Sequence, residues 1–168
     1  MCDPSPVRNW LIGLVATVAS AAAIALGAAA VNNTGWYAWL APAGMRVAAG
    51  LAGLAVVFCG MAIDALDAFC ACAGPRCAGP CTNLRNTLNA ARVVLGIQAT
   101  ACLAAAAIAW IPWAGSAPIY VIVGALIIQA GLVISAIVFM SQLASCQSDT
   151  VPTAPAPQTP PVGTGPIG

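Results

Sequence analysis

Residues 119–143 read "IYVIVGALIIQAGLVISAIVFMSQL", twenty-five residues without a charge. About 20 largely apolar residues suffice to cross the hydrocarbon core of a bilayer as a helix, so this stretch reads as a membrane span. The same reading applies to 10–31, 46–66 and 91–111. Breakers or polar residues bound each of them: "NNTG" at 32–35, "APAG" at 41–44, Gly-Pro pairs after the second span, and "IPWAGSAP" at 111–118. The last connection is short enough to force a tight antiparallel hairpin. These spans predict an all-α integral membrane protein, with four transmembrane helices in an antiparallel bundle of two hairpins. A short N-terminal segment (1–9) precedes the transmembrane domain (10–146), which carries a Cys-rich loop at 67–90. A Pro/Thr-rich tail (147–168) follows.

Composition agrees. Of 168 residues 61% are hydrophobic and 5% charged, and the mean hydropathy is +0.95. A soluble domain carries about a quarter of its residues as charges. The ionisable side chains that matter are five Arg and four Asp, with no His, Lys or Glu. General acid–base chemistry would therefore rest on four Asp, and a Schiff-base lysine is excluded. We expect no enzyme. A net charge of +1 offers no basic surface for nucleic acid.

Arginine placement sets an expected orientation. Arg8, Arg76, Arg85 and Arg92 share one side after four crossings, and only Arg46 lies on the other. The positive-inside rule places both termini and the 67–90 loop in the cytoplasm. Trp36, Tyr37, Trp39, Trp110, Trp113 and Tyr120 cluster at the opposite interface, where amphipathic rings settle. Ala28 and Ala30 have the A-x-A spacing of a signal-peptidase site, but the preceding apolar run is long for a signal peptide and is kept as a span. Asn32-Asn33-Thr34 matches a glycosylation sequon hard against the bilayer, and reads as a polar helix terminus.

The densest chemistry is "DAFCACAGPRCAGPC" at 67–81. Cys70, Cys72, Cys77 and Cys81 are spaced C-x-C-x4-C-x3-C. Four thiolates suit tetrahedral zinc, although the spacing matches neither common zinc knuckles nor ferredoxin iron–sulfur runs. Zinc or an iron–sulfur cluster is one reading. Disulfides are a second, if this end faces an oxidising compartment. The third is a set of free or acylated juxtamembrane thiols, with Cys2 and Cys146 joining the four on the same face. Cys59 and Cys102 fall inside spans and read as small packing residues.

Within lipid, helices associate through close packing of small residues. Gly50 and Gly53 in the second span and Gly124, Gly131 and Ser135 in the fourth are the expected packing positions. Ala23-x-x-x-Gly27 and Gly96-x-x-x-Thr100 repeat the pattern in the first and third. Gln98 and Gln129 are the strongest polar groups inside spans, joined by Thr17, Ser20, Thr100 and Ser135. They read as interhelical glue before a permeation path. Asp64 and Asp67 share a helical face, and Arg92 is the expected ion-pair partner.

Two hairpins with short loops are similar in topology to tetraspan families such as the MARVEL and claudin groups. Claudins carry a Cys pair with a Trp in the first outer loop; here "NNTGWYAWLAPAG" has Trp and no Cys, so no family is assigned. In the tail, Pro152-Thr153-Ala154-Pro155 resembles the PTAP late-domain motif of enveloped-virus budding, a match of four residues. The expected function is a non-enzymatic structural or accessory subunit of a larger membrane assembly, such as an energy-converting complex or a virion membrane. Bound lipid and other subunits or copies of itself are the expected partners. A metal or redox protein built on the cysteine cluster and a small channel or transporter are the alternatives.

Overall fold

The structure, a computed structural model, describes residues 3–34, 40–108 and 116–148. Four α-helices account for nearly all of them: α1 (Ser5–Thr34), α2 (Leu40–Ala73), α3 (Ala78–Ile108) and α4 (Ser116–Ser148). Each is long and apolar enough to cross a membrane, so the chain is a multi-pass membrane protein in which four helices pack together. Hydrocarbon offers backbone N–H and C=O groups no water, so a spanning segment must satisfy them internally as a helix. Consecutive helices pack antiparallel, α1 on α2, α2 on α3 and α3 on α4, whereas α1 and α4 barely touch. The four therefore form an open ring, with a seam between the first and last.

The expected loop at 67–90 is helical. α2 continues through Ala73, and α3 begins at Ala78. Hydropathy locates where a chain leaves the hydrocarbon, not where its helix stops. The 34 residues of α2 rise about 50 Å, against a hydrocarbon core of about 30 Å, so its end projects beyond the core. The corner itself is short: Gly74 and the single 3₁₀ turn Pro75–Cys77. Gly74 has φ 79°, a left-handed conformation that side chains with a Cβ resist. Pro80 lies in the first turn of α3, where the missing N–H would have no helical partner in any case.

Packing differs along the bundle axis. Towards the corner the core is bulky: Val7, Leu11, Leu66, Phe69, Leu84, Leu88, Leu95 and Leu143 are all buried. Trp10 stacks on Phe58 in a tilted pair with ring centroids 5.8 Å apart. Towards the opposite end the core is built from alanine, with Ala25, Ala28, Ala48, Ala49, Ala105 and Ala106 around Met45 and Cys102. Of the described glycines, Gly44 of α2 sits tightest against a neighbouring helix: an added Cβ would lie 2.9 Å from the Cβ of Ala28 on α1.

The packing positions expected from sequence need correcting. A Cβ at Gly50, Gly53, Gly124 or Gly131 would meet nothing within 4 Å, and the Ser135 hydroxyl donates to the Gly131 carbonyl of its own helix at 2.9 Å. Within the chain, alanines make the close contacts instead. Ala48, Ala52, Ala55 and Ala62 are fully buried along one edge of α2. Period and small size alone do not say which face of a smooth helix turns inward.

Gly44→Ala should therefore destabilise the bundle by about 1–3 kcal/mol, the cost of overpacking a tight contact. Gly50→Ala, in open space, should leave stability unchanged or raise it by up to about 1 kcal/mol through helix propensity. Thermal unfolding in detergent compares the two.

Candidate functional site

The features with chemical character gather at the corner end of the bundle. The start of α1, the end of α2, the start of α3 and the end of α4 all meet here. Two cystines cross it. Cys70 at the end of α2 bonds to Cys81 in the first turns of α3, with Cα atoms 6.1 Å apart. Cys77 in the 3₁₀ turn bonds to Cys146 on the last turn of α4, with Cα atoms 5.7 Å apart. Cys72 is also disulfide-bonded. Cys59 and Cys102 are free and buried within the spans.

The zinc and acylation readings change accordingly. The four cysteines considered as metal ligands are divided among separate disulfides, so their sulfurs do not converge as thiolates. Cys70, Cys72, Cys77, Cys81 and Cys146 likewise present no thiol for acylation, and Cys2 lies outside the described residues. Among the described residues, no group of three or more His, Cys, Asp or Glu is placed to hold a metal. Sequence spacing pointed to the first four as one set because it counts positions along one segment. The partnership of Cys77 with Cys146, 69 residues away, depends on α4 returning to the same corner.

The ion pair also differs from expectation. Arg85 Nη2 lies 3.4 Å from Asp67 Oδ2, with both side chains about half exposed. Asp64 and Arg92 enter no ion pair among the described residues. Register supplies the reason: counting away from the Cys70–Cys81 bond, three residues up α2 and four along α3 bring Asp67 level with Arg85. Arg92 lies two turns deeper. An exposed pair of this kind contributes about 0–1 kcal/mol, so it orients the corner more than it holds it.

At the start of α1, Asp3 Oδ1 accepts the backbone N–H of Ser5 at 2.8 Å, and its Oδ2 accepts the Ser5 hydroxyl at 2.7 Å. These bonds, the hydroxyl first, hold the Asp3 carboxyl below its ordinary range, with the nearby Arg8 adding to the effect. Asp3 is thus ionised wherever ordinary carboxylates are.

In the bundle interior, Gln129 Nε2 donates to Gln98 Oε1 across α3 and α4. Both side chains are almost wholly buried, at 4% and 0% exposure. The second half of each amide, Gln98 Nε2 and Gln129 Oε1, has no partner among the described residues. The other polar residues in the spans bond to their own helices: Thr17 to the Gly13 carbonyl, Ser20 to that of Ala16, and Thr100 to those of Gly96 and Ile97. Of the expected interhelical polar contacts, the Gln98–Gln129 pair forms, while these hydroxyls saturate carbonyls one turn back.

An apolar crevice of about 860 Å³ opens along the seam between α1 and α4, with α3 as its floor. Asp3, Ser5 and Arg8 stand at its corner end and Gln129 at its deep end; Leu and Val side chains line much of the length between. The aromatic residues Trp36, Tyr37, Trp39, Trp110 and Trp113 and the tail beyond Ser148, with its PTAP stretch, lie outside the described residues, while the backbone of the sequon Asn32-Asn33-Thr34 forms the end of α1. Comparison with protein-family models, curated proteins and solved structures returns no match.

Two outcomes follow. Non-reducing peptide mapping should recover Cys70–Cys81 and Cys77–Cys146 linkages, and Cys146→Ser should lower stability by about 2–4 kcal/mol, the usual range for a native disulfide. Gln129→Leu should cost about 1–2 kcal/mol by stranding the Gln98 amide. The double variant Gln98→Leu/Gln129→Leu should recover most of that loss, measured as a double-mutant cycle.

Proposed function

We propose that this chain is a non-enzymatic membrane subunit that works by lateral packing, and that its cystine-bearing end faces an oxidising compartment. The carrying observation is the direction of its small-residue faces. Ala23 and Gly27 on α1, Gly50 and Gly53 on α2, and Gly131 on α4 are exposed, with open space where each glycine's Cβ would stand. Small-xxx-small faces let helix backbones approach closely in lipid, and here the chain's own helices do not use them. Neighbouring subunits or further copies of the chain are the partners such faces suit. A chain without His, Lys or Glu supports a packing role over catalysis.

The sidedness part of the proposal rests on redox chemistry. Disulfides persist in secreted, lumenal and periplasmic settings and are rare in the cytosol, and this end carries five disulfide-bonded cysteines among the described residues. The arginine count argues for the opposite side. The disulfides weigh more, because a bond must survive the compartment's thiol pool, whereas the arginine rule describes a bias in insertion.

Gentle solubilisation of the native membrane tests the packing role. The protein should migrate in an assembly larger than one chain. Gly53→Ile and Gly131→Ile should shift it towards the monomer while leaving the melting temperature of the isolated chain within about 2 °C, since neither side chain meets the bundle. A wild-type protein found only as a monomer would remove the reading. For sidedness, a reporter fused at the C-terminus that is active only in an oxidising compartment should be active. Full labelling of the corner cysteines as thiols by a permeant reagent in intact cells would overturn it.

A further inference from the structure

We propose that the crevice between α1 and α4 is a binding site for one zwitterionic phospholipid of the leaflet at the cystine end. The acyl chain lies along the crevice, and the headgroup is held between Arg8 and Asp3. Three observations converge on this occupant.

The first is length and depth. From Gln129 to Ala144 the α4 wall rises about 22 Å, and the crevice runs from the α1 start, where Asp3 and Arg8 sit, inward to Gln129. One leaflet of hydrocarbon is about 15 Å deep, half of the roughly 30 Å core. The crevice therefore has the reach of one leaflet plus its headgroup layer. The second is lining. Its walls are aliphatic: Leu11, Leu14, Leu132 and Leu143 flank Ala91 and Ala136, whose small side chains form the hollow. At the deep end the Gln129 amide is tied to Gln98, and this polar group marks where the apolar stretch stops.

The third is the rim. It carries one cation and one anion, Arg8 and Asp3. The guanidinium suits a lipid phosphate, a contact arginine makes bidentately. The carboxylate suits a primary ammonium, and the Ser5 hydrogen bonds fix it in place. Phosphatidylethanolamine presents both charges on adjacent groups, whereas phosphatidylglycerol would set its net negative charge beside Asp3. A volume of about 860 Å³ lies within the roughly 300–1,000 Å³ typical of ligand sites.

Native mass spectrometry of the full chain, purified in mild detergent and washed, reads the occupancy directly. Titration of delipidated protein with phosphatidylethanolamine and with phosphatidylglycerol reads the preference. The expected result is one retained phospholipid per chain, with phosphatidylethanolamine bound about tenfold more tightly than phosphatidylglycerol. Ala136→Trp, which fills the hollow, should abolish retention. Asp3→Asn should erase the preference while keeping a lipid bound. Ile128→Trp, on the outer face of α4, should change neither, and serves as the control for folding. The proposal is overturned if the washed protein holds no lipid, if Ala136→Trp and wild type retain it equally, or if phosphatidylglycerol binds as tightly. Cross-linking that places a second copy or the chain's own tail in the crevice also overturns it.

Discussion

A helix surrounded by lipid gains little by burying apolar side chains against its neighbour, because the acyl tails it leaves are as apolar as the residues it meets. Everything in this fold depends on that constraint. Without a hydrophobic drive, four helices stay together through close backbone approach, hydrogen bonds hidden from lipid, and covalent bonds. The chain uses a different one at each depth. At one end Gly44 and Ala28 bring α1 and α2 into close contact. In the interior the Gln98–Gln129 amides join α3 to α4. At the other end cystines join α2 to α3 and the corner to α4.

The open seam follows from how these ties are distributed. No tie described here joins α1 to α4, and the two helices scarcely meet. α4 is held by the Gln pair and by the Cys77–Cys146 bond, both of which anchor it on the α3 side. α1 is held through its alanine and leucine contacts with α2. The crevice is therefore bounded by two independently secured walls, and its width does not depend on direct α1–α4 packing. Bulky residues, Phe69 and several leucines, fill the core at the corner end, and alanines fill it at the other end.

Legibility from sequence tracks the physical origin of each feature. Four spans and their antiparallel order were readable, because hydrocarbon thickness imposes a length on apolar runs. Helix ends at the corner were not, since α2 and α3 extend beyond the bilayer where hydropathy falls silent; Gly74 and the Pro75–Cys77 turn were the remaining clue. The Gln98–Gln129 contact was readable as a candidate from polarity at depth, though not as a bond, which needs the relative rotation of α3 and α4. That same rotation decided against Gly50, Gly53, Gly124 and Gly131 as internal contacts. Asp67 was a visible ion-pair candidate, but its partner depended on a register that the Cys70–Cys81 bond sets. A crevice made by two helices distant in sequence leaves no local pattern, and Ala91 and Ala136 look like any other alanines.

The conflict between arginines and disulfides over sidedness can be put in energetic terms. The rule that places arginines in the cytoplasm counts basic residues and gives acids little weight. The electrical work of carrying a segment across a potential counts net charge, at about 2.3 kcal/mol per charge per 100 mV. Among the described residues at the cystine end, Arg8, Arg76, Arg85 and Arg92 are accompanied by Asp3, Asp64 and Asp67, which leaves a net charge of one. Two of these residues, Arg85 and Asp67, already face each other across the corner. The electrical cost of placing this end on the far side is thus about a quarter of what four unaccompanied arginines would impose. A small opposing field of that size is compatible with the orientation proposed above, in which the acids offset most of the charge that the arginines bring to the corner.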